Sequence, residues 1–225
     1  MTFLSVYQNL FKHYGPQHWW PADSAFEVIV GAVLTQNTAW SNVEKALDSL
    51  KQVKVLSANK ILALSPMDLA KLIRSAGYFN VKAKRLQNFC HWFLQQGGMK
   101  KLQRWDDKSL RNGLLSVNGI GPETADDIML YAFHRPVFVI DAYTRRIFSR
   151  LGLIKGEESY ESLRRLFETA LSKKIKQRDE QVSVYNEYHA LIVLHAKDIC
   201  RKKPRCDECS LRRQCAAVQV ELPAN

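Results

Sequence analysis

Two groups of residues carry most of the chemistry open to this chain: a glycine-containing turn followed by a lone aspartate, and a cluster of four cysteines. The turn reads Val117-Asn118-Gly119-Ile120-Gly121-Pro122-Glu123-Thr124-Ala125 and lies between two helix-like segments. A loop whose amides point at a phosphate needs close backbone approach and often a positive φ, both of which glycine supplies easily. Gly119 and Gly121 suit that task. Pro122 suits the first position of the next helix, whose free N–H groups and positive dipole end would face the same anion. An ordinary helix–helix turn with a glycine C-cap has the same G-x-G pattern, so both readings stand on the turn alone. Further on, Pro136-Val137-Phe138-Val139-Ile140-Asp141 delivers Asp141 to the start of an amphipathic helix expected to run to Gly152. An aspartate there caps a helix well, and a capping carboxylate can still face a cleft.

The cysteines follow the pattern C-x5-C-x2-C-x5-C at Cys200, Cys206, Cys209 and Cys215, with Cys90 apart from them. Four clustered thiols indicate a metal centre more than a disulfide framework. The segment after Met1 lacks a charged n-region and a long apolar core, and no stretch approaches membrane-spanning length. The expected setting is therefore reducing cytoplasm, with no membrane contact. Spacing leaves four-thiolate zinc and an iron–sulfur cluster both open. Four of the five residues between Cys200 and Cys206 are cationic, and Arg212 and Arg213 follow in the last interval. A metal would fold these into a basic lobe against a DNA backbone; the alternative is a solvated charged turn.

Composition agrees. With 225 residues and 46% apolar content the chain can bury a real core, which excludes a disordered class, and a formal charge of +11 suits a polyanionic partner. Basic groups recur at Lys82, Lys84 and Arg85, at Lys100, Lys101 and Arg104, at Arg145 and Arg146, and along Arg201 to Arg205.

The elements that must position these residues read as helices. Phe3, Tyr7, Leu10, Phe11 and Tyr14 fall at helical spacing, as do Phe26, Ile29, Val30 and Val33, then Val43, Leu47 and Leu50, then Leu69, Leu72 and Ile73. Strand alternation is nearly absent. Asp23 or Ser24 can cap the second run, Ser41 the third, and Ser65 with Pro66 behind it the fourth. The expected fold class is all-α.

Four matches in order along the chain resemble the helix-hairpin-helix DNA glycosylases of the endonuclease III superfamily. They are Phe26 to Thr38, Gly77 to Lys84, the hairpin with its flanking helices, and Val139-Ile140-Asp141. The resemblance implies two helical domains. One is a central six-helix domain at about 24–133 holding the helix-hairpin-helix at about 108–133. The other is discontinuous, 1–23 plus 134–225, with a cysteine loop at 200–215, and the base pocket is expected between the two. An enzyme of this kind extrudes a nucleotide, fills the gap in the stack, holds the base by stacking and stabilises an oxocarbenium-like sugar.

Residue by residue, the resemblance assigns Asp141 as the catalytic carboxylate, stabilising the sugar cation or activating water. Gln36 takes the gap-filling position, Tyr78 and Phe79 the duplex-wedging loop, and Gly119, Gly121 and Lys82 further DNA contacts. Locally, Gln36 also suits a helix end and Phe79 a core position. The same resemblance implies a [4Fe–4S] cluster on Cys200, Cys206, Cys209 and Cys215, with zinc as the alternative. The first cysteine interval is one residue shorter than the family's usual one.

Glu123 stands where the bifunctional branch carries a Schiff-base lysine, which disfavours a lyase step. Trp19-Trp20-Pro21, Gly31 to Thr38 and Gly119 to Asp126 resemble the 3-methyladenine DNA glycosylase III branch. That branch implies a monofunctional enzyme that sandwiches an electron-poor alkylated purine between aromatic faces, with Trp20 and Trp40 at the stacking positions and Lys197 near the pocket. Without the resemblance both tryptophans read as core anchors. The expected partner is double-stranded DNA with damaged bases, bound by a monomer. A bifunctional oxidised-pyrimidine or mismatch glycosylase and a non-catalytic DNA-binding iron–sulfur module are the alternatives.

Overall fold

The start signals above become helix caps. In the computed structural model, which describes residues 1–221, no strand occurs among the described residues. α1 (Phe3–Tyr14) opens on a capping box between Thr2 and Ser5. α2 (Ala25–Leu34) opens on Ser24, whose hydroxyl accepts from the Glu27 amide. α3 spans Trp40–Gln52 and α4 Ala58–Ala63, and α5 (Pro66–Leu72) has Ser65 as its cap and Pro66 at its first position. α6 (Phe79–Gln95), α7 (Gly98–Leu102) and α8 (Asp107–Leu115) lead to α9 (Pro122–Asp127), which runs on into a π-helical turn, Ile128–Ala132. α10 (Ala142–Arg150), α11 (Tyr160–Ser172), α12 (Arg178–Asp198) and α13 (Ala216–Glu221) follow.

Two expected boundaries shift. Ser41 does not cap α3: the helix starts at Trp40, two residues earlier than a Ser41 cap implies, and the carbonyl of Ala39 accepts from the Asn42 and Val43 amides. α10 ends at Arg150, and Gly152, at φ 73, turns the chain beyond it.

The chain divides into two compact units, Trp20–Arg135 and a discontinuous one of Met1–Trp19 with the segment from Pro136 onward. In the first unit α2 is the axis. Every residue from Glu27 to Leu34 is buried, and α3, α6, α9 and the π turn pack around it. Its one buried charge, Glu27, is answered by the Lys51 amine and the Asp23 amide. Trp92 and Trp105 close over Gly113, where a Cβ would stand 2.9 Å from each ring, so only glycine fits. Arg111 on α8 grips the fully buried carboxylate of Asp126 on α9 with two bonds, of 2.7 and 3.1 Å, and so sets the angle of the hairpin's helices.

The second unit is built on aromatic rings. Phe167 meets Phe138, Phe148 and Phe3, each at 4.6 Å between centroids, and the buried Tyr188 hydroxyl donates to the Phe3 carbonyl at 2.7 Å. Truncating one such ring to alanine costs about 3–5 kcal/mol. α1 and α10 both pack on α12, which buries Tyr188 to Val193, His195 and Ala196. No helix is long and apolar enough to cross a membrane among the described residues.

Candidate functional site

The hairpin turn is held from behind by three side chains. Gln36 donates from Nε2 to the Gly119 carbonyl (3.0 Å) and to Thr124 Oγ1 (2.9 Å), while its Oε1 accepts from Arg85 at 2.6 Å. Asn88 donates to the Asn118 carbonyl at 3.1 Å. Gly119 sits at φ 99 with the Arg85 side chain directly beneath it, so a Cβ would overlap that chain. Gly121 differs: its backbone is extended, at φ −89, and a Cβ there would meet no atom of the protein within 4 Å. The positive φ expected of both glycines therefore belongs to Gly119 alone. Pro122 is the first residue of α9, as expected, and Glu123 behind it is solvent-exposed.

These contacts change the reading of Gln36. Its Nε2 serves the hairpin and its Oε1 Arg85 of α6, so in this conformation the half-buried side chain braces the turn. Its neighbour Asn37 is the exposed residue of this turn, held at φ 55. A left-handed asparagine at the tip of a turn is tolerable where most other residues would be strained.

Tyr78 precedes α6 with φ 45 and ψ 32, and its ring is 73% exposed, an unusual backbone for a bulky residue. Phe79, the first residue of α6, is half-buried. Lys82, expected on the DNA-facing side, is instead 1% exposed. Its amine donates to the carbonyls of Leu34 (2.8 Å) and Ala76 (2.7 Å), tying the end of α2 to the turn before Tyr78. Burial, then the nearby Arg85, pull its pKa down to about 8. A lysine with its ammonium spent on buried carbonyls cannot touch a phosphate; what the sequence signals as a DNA contact is an internal brace.

Trp20 and Trp40 meet edge to face, with centroids 4.8 Å apart and planes at 86°. They leave no parallel slot for a base between them, contrary to the expected sandwich. With Tyr131 of the π turn, buried and 5.0 Å from Trp20, the two half-exposed tryptophans form one aromatic group. Gly31 seats it, since a Cβ there would stand 3.1 Å from Trp20 Cζ2. Trp40 is also fixed by a 2.9 Å bond from Nε1 to Glu44.

In the other unit, Asp141 caps α10. Its Oδ1 accepts from the Thr144 amide at 2.6 Å and the Thr144 hydroxyl at 2.8 Å. Its Oδ2 faces Nε2 of His189 at 3.6 Å. Burial pushes the carboxyl pKa up, but His189 and the two Thr144 donors outweigh it and leave the pKa below the ordinary value. The side chain is therefore an oriented anion. Sequence reading missed His189, although a lone histidine in the apolar run Tyr188-His189-Ala190-Leu191-Ile192 is a signal of a buried polar task. Lys197 lies solvent-exposed in the last turn of α12.

The four cysteines surround one cavity of about 190 Å³ together with Arg150, Ile199 and Pro204. A zinc ion would draw four sulfurs to about 2.3 Å from one point. Here the four thiols ring a shared cavity, and four sulfurs are a donor set that a zinc ion or a cluster could take. Burial pushes the Cys209 thiol up, and the other three cysteines add to the push, as expected of a thiol set that ionises only with a cation between its members. Two outer donors address the sulfurs: Arg150 reaches Cys200 Sγ at 3.3 Å, and His195 Nε2 lies 3.5 Å from Cys209 Sγ. The residues fit a thiolate-held zinc ion or cluster. The shortened first interval closes on itself, with the Arg201 and Arg205 amides both on the Ile199 carbonyl and the Arg150 guanidinium on the carbonyls of Arg201 and Lys202. Arg146, which sequence groups with the basic surface, likewise serves carbonyls, of Ala196 and Cys200.

Hairpin, helix-capping aspartate and all-helical framework together define a base-excision DNA glycosylase of the helix-hairpin-helix type, a hydrolase of the N-glycosidic bond that acts on DNA. Residues 30–173 match the model of the HhH-GPD superfamily of base excision DNA repair proteins, and the chain belongs to that superfamily. It is similar to a Methanocaldococcus jannaschii protein described by inference as a DNA repair glycosylase, at 46% identity over 93% of this chain and 94% of that one. It is also similar to endonuclease III of Sulfolobus acidocaldarius, at 28% identity over 85% of this chain and 82% of that one. Among solved structures it resembles H. pylori 3-methyladenine DNA glycosylase MagIII bound to 1,N6-ethenoadenine, with a TM-score of 0.79 and 27% identity, covering 88% of this chain and 98% of that one.

Proposed function

We propose that this glycosylase is monofunctional and releases alkylated purines such as 3-methyladenine from double-stranded DNA, leaving an intact abasic site. Glu123 carries the reading. It is exposed at the second position of α9, where a lyase of the superfamily presents an amine, and no lysine occurs from Val117 to Tyr131. A carboxylate cannot form a Schiff base with an opened sugar.

The aromatic group supports the same substrate class. An alkylated purine is cationic and its glycosidic bond is already weakened, so a tryptophan face can select it without strong acid catalysis. Trp20 offers that face, with Tyr131 and Trp40 fixing its plane. The resemblance to a 3-methyladenine glycosylase that holds an adenine derivative agrees. Asp141 stabilises the oxocarbenium-like sugar as a fixed anion. Asn37 fills the vacated stack and Tyr78 parts the strands, while the open backbone at Gly121 takes the phosphate. Cys200, Cys206, Cys209 and Cys215 hold a [4Fe–4S] cluster, which when bound supplies four iron–thiolate bonds that fold the basic segment around it and a centre able to exchange electrons.

The test is incubation with methylated duplex DNA, following free base by chromatography and strand breaks on a denaturing gel before and after alkali. Release of 3-methyladenine, breaks only after alkali, and loss of both in Asp141→Asn are expected. Nicking without alkali would overturn the monofunctional reading, and no release of alkylated bases would overturn the substrate class.

A further inference from the structure

We infer that His189 is a positioning residue for Asp141: its ring donates to the carboxylate oxygen that the helix cap leaves open, and so fixes the anion's direction for the glycosidic step. The inference rests on the reading of Asp141 as the residue that acts on the sugar.

The cap settles only half of the carboxylate. Both Thr144 donors, at 2.6 and 2.8 Å, fall on Oδ1, and the second oxygen is turned toward α12. There it meets His189 Nε2 at 3.6 Å, with the two side chains 12% and 8% exposed, and α10 and α12 pack directly against each other. An ionised carboxylate offers acceptors only, so the ring proton that faces it sits on Nε2, whether the imidazole is neutral or charged. A separation of 3.6 Å is longer than a formed hydrogen bond, but a small rotation of either side chain closes it, and catalytic hydrogen bonds commonly tighten only with substrate in place.

Packing alone does not account for a histidine here. Its neighbours on α12, Tyr188, Ala190, Leu191 and Ile192, are all buried, and an apolar side chain would fill the same space without burying two ring nitrogens. With His189 closed on Oδ2, three donors converge on one carboxylate. A carboxylate so engaged has few lone pairs left for a proton and a fixed direction for its charge. That favours electrostatic stabilisation of the sugar cation over activation of water.

Single-turnover release of 3-methyladenine from methylated duplex DNA, compared among wild type, His189→Leu, His189→Gln and Asp141→Asn, tests this. Affinity for undamaged duplex and thermal melting are measured alongside. His189→Leu is expected to slow release about 10²-fold, the scale of a misplaced catalytic group, with affinity and melting unchanged. His189→Gln, which keeps an N–H donor, is expected to recover most of the rate. A wild-type rate in His189→Leu, or a His189→Gln variant as slow as His189→Leu, would overturn the inference, and an active Asp141→Asn would remove its premise. Should the wild type release no alkylated base, the substrate reading falls by itself, and ¹⁵N resonances of the His189 ring decide. An Nε2-protonated ring whose signals move in Asp141→Asn upholds the pairing; a ring indifferent to that change overturns it.

Discussion

The hairpin turn at 117–122 and the turn at Gly77-Tyr78 each feed the chain into a helix, yet they are built on opposite principles. In the hairpin the positive φ is taken by Gly119, and the residue that opens α9, Gly121, is extended and unstrained. Long-range support is dense: Gln36 and Asn88 hold carbonyls of the turn, and Arg111 with Asp126 locks the two helices. At the other turn a positive φ falls on the tyrosine itself, at a cost of order 1–3 kcal/mol, and the ring is left in solvent. Its long-range braces are the buried amine of Lys82 and, one residue further back, the Ser75 hydroxyl on the Asn42 carbonyl. The hairpin is relaxed and densely braced, whereas the tyrosine is held out of the fold under backbone strain.

The comparison breaks most severely at Arg111. Arg111→Met strips a fully buried carboxylate of its bidentate partner, and removing one half of a buried pair costs about 3–5 kcal/mol. Urea denaturation should show a loss of that size, with DNA affinity falling because the hairpin's helices lose their set angle. A loss below about 1 kcal/mol, the level of an exposed pair, would mean that the hairpin is held by packing alone.

Lys82→Met ranks next. It leaves the Leu34 and Ala76 carbonyls without their amine donor, and an unsatisfied buried acceptor costs about 1–3 kcal/mol. The site also carries a pH signature. Its folded pKa is pulled to about 8 from 10.5, so between those values the unfolded chain binds more protons than the folded one. Stability contributed here should therefore rise with pH through that window. The difference between wild type and Lys82→Met should widen from about pH 8 to about pH 10; a flat or narrowing difference would show the buried ammonium to be fully compensated by its two carbonyls.

Lys82 also shows where the sequence stops being legible. Helix entries were readable at Ser24, Ser65, Pro122 and Asp141 because a cap is a local event, decided within about four residues. The gathering of four cysteines around one cavity was readable because they are close in sequence. By contrast, a lysine among other cations looks like part of a basic surface, and only the fold reveals that two distant carbonyls hold its amine. The bracing contacts of Gln36 were hidden in the same way, since its three partners lie 49 to 88 residues away. His189 is 48 positions from Asp141, and no periodicity announces a pair across two helices. Trp20 and Trp40 meet edge to face where parallel faces were expected, because ring angles follow from packing on Gly31 and Tyr131.

Tyr78→Gly sharpens the contrast with a smaller effect. Glycine relieves a left-handed conformation that costs other residues about 1–2 kcal/mol, but loses about 0.5–1 kcal/mol to extra freedom in the unfolded chain. The net expectation is a fold stabilised by less than about 1 kcal/mol, since so exposed a ring contributes little burial. Base release should fall despite the sturdier fold. A destabilised variant would show that the ring packs against the protein and that the strain is not functional.

The smallest effect on the fold, and the sharpest on the reading of the hairpin, belongs to Gly121. An alanine Cβ there meets open space and φ −89 suits any residue, so the only reason for glycine inside the protein is the preference for glycine over alanine at a helix N-cap. If a further reason lies outside, in the closeness of a phosphate to the backbone, Gly121→Ala should cost the fold no more than about 1 kcal/mol, the scale of an N-cap change. Affinity for duplex DNA should nevertheless drop, with a weaker dependence on salt as a phosphate contact is lost. Fluorescence anisotropy across a salt series separates the outcomes. Reduced affinity with a shallower slope places the phosphate at Gly121, whereas unchanged affinity would leave the hairpin as a helix–helix turn whose second glycine has no task beyond the cap.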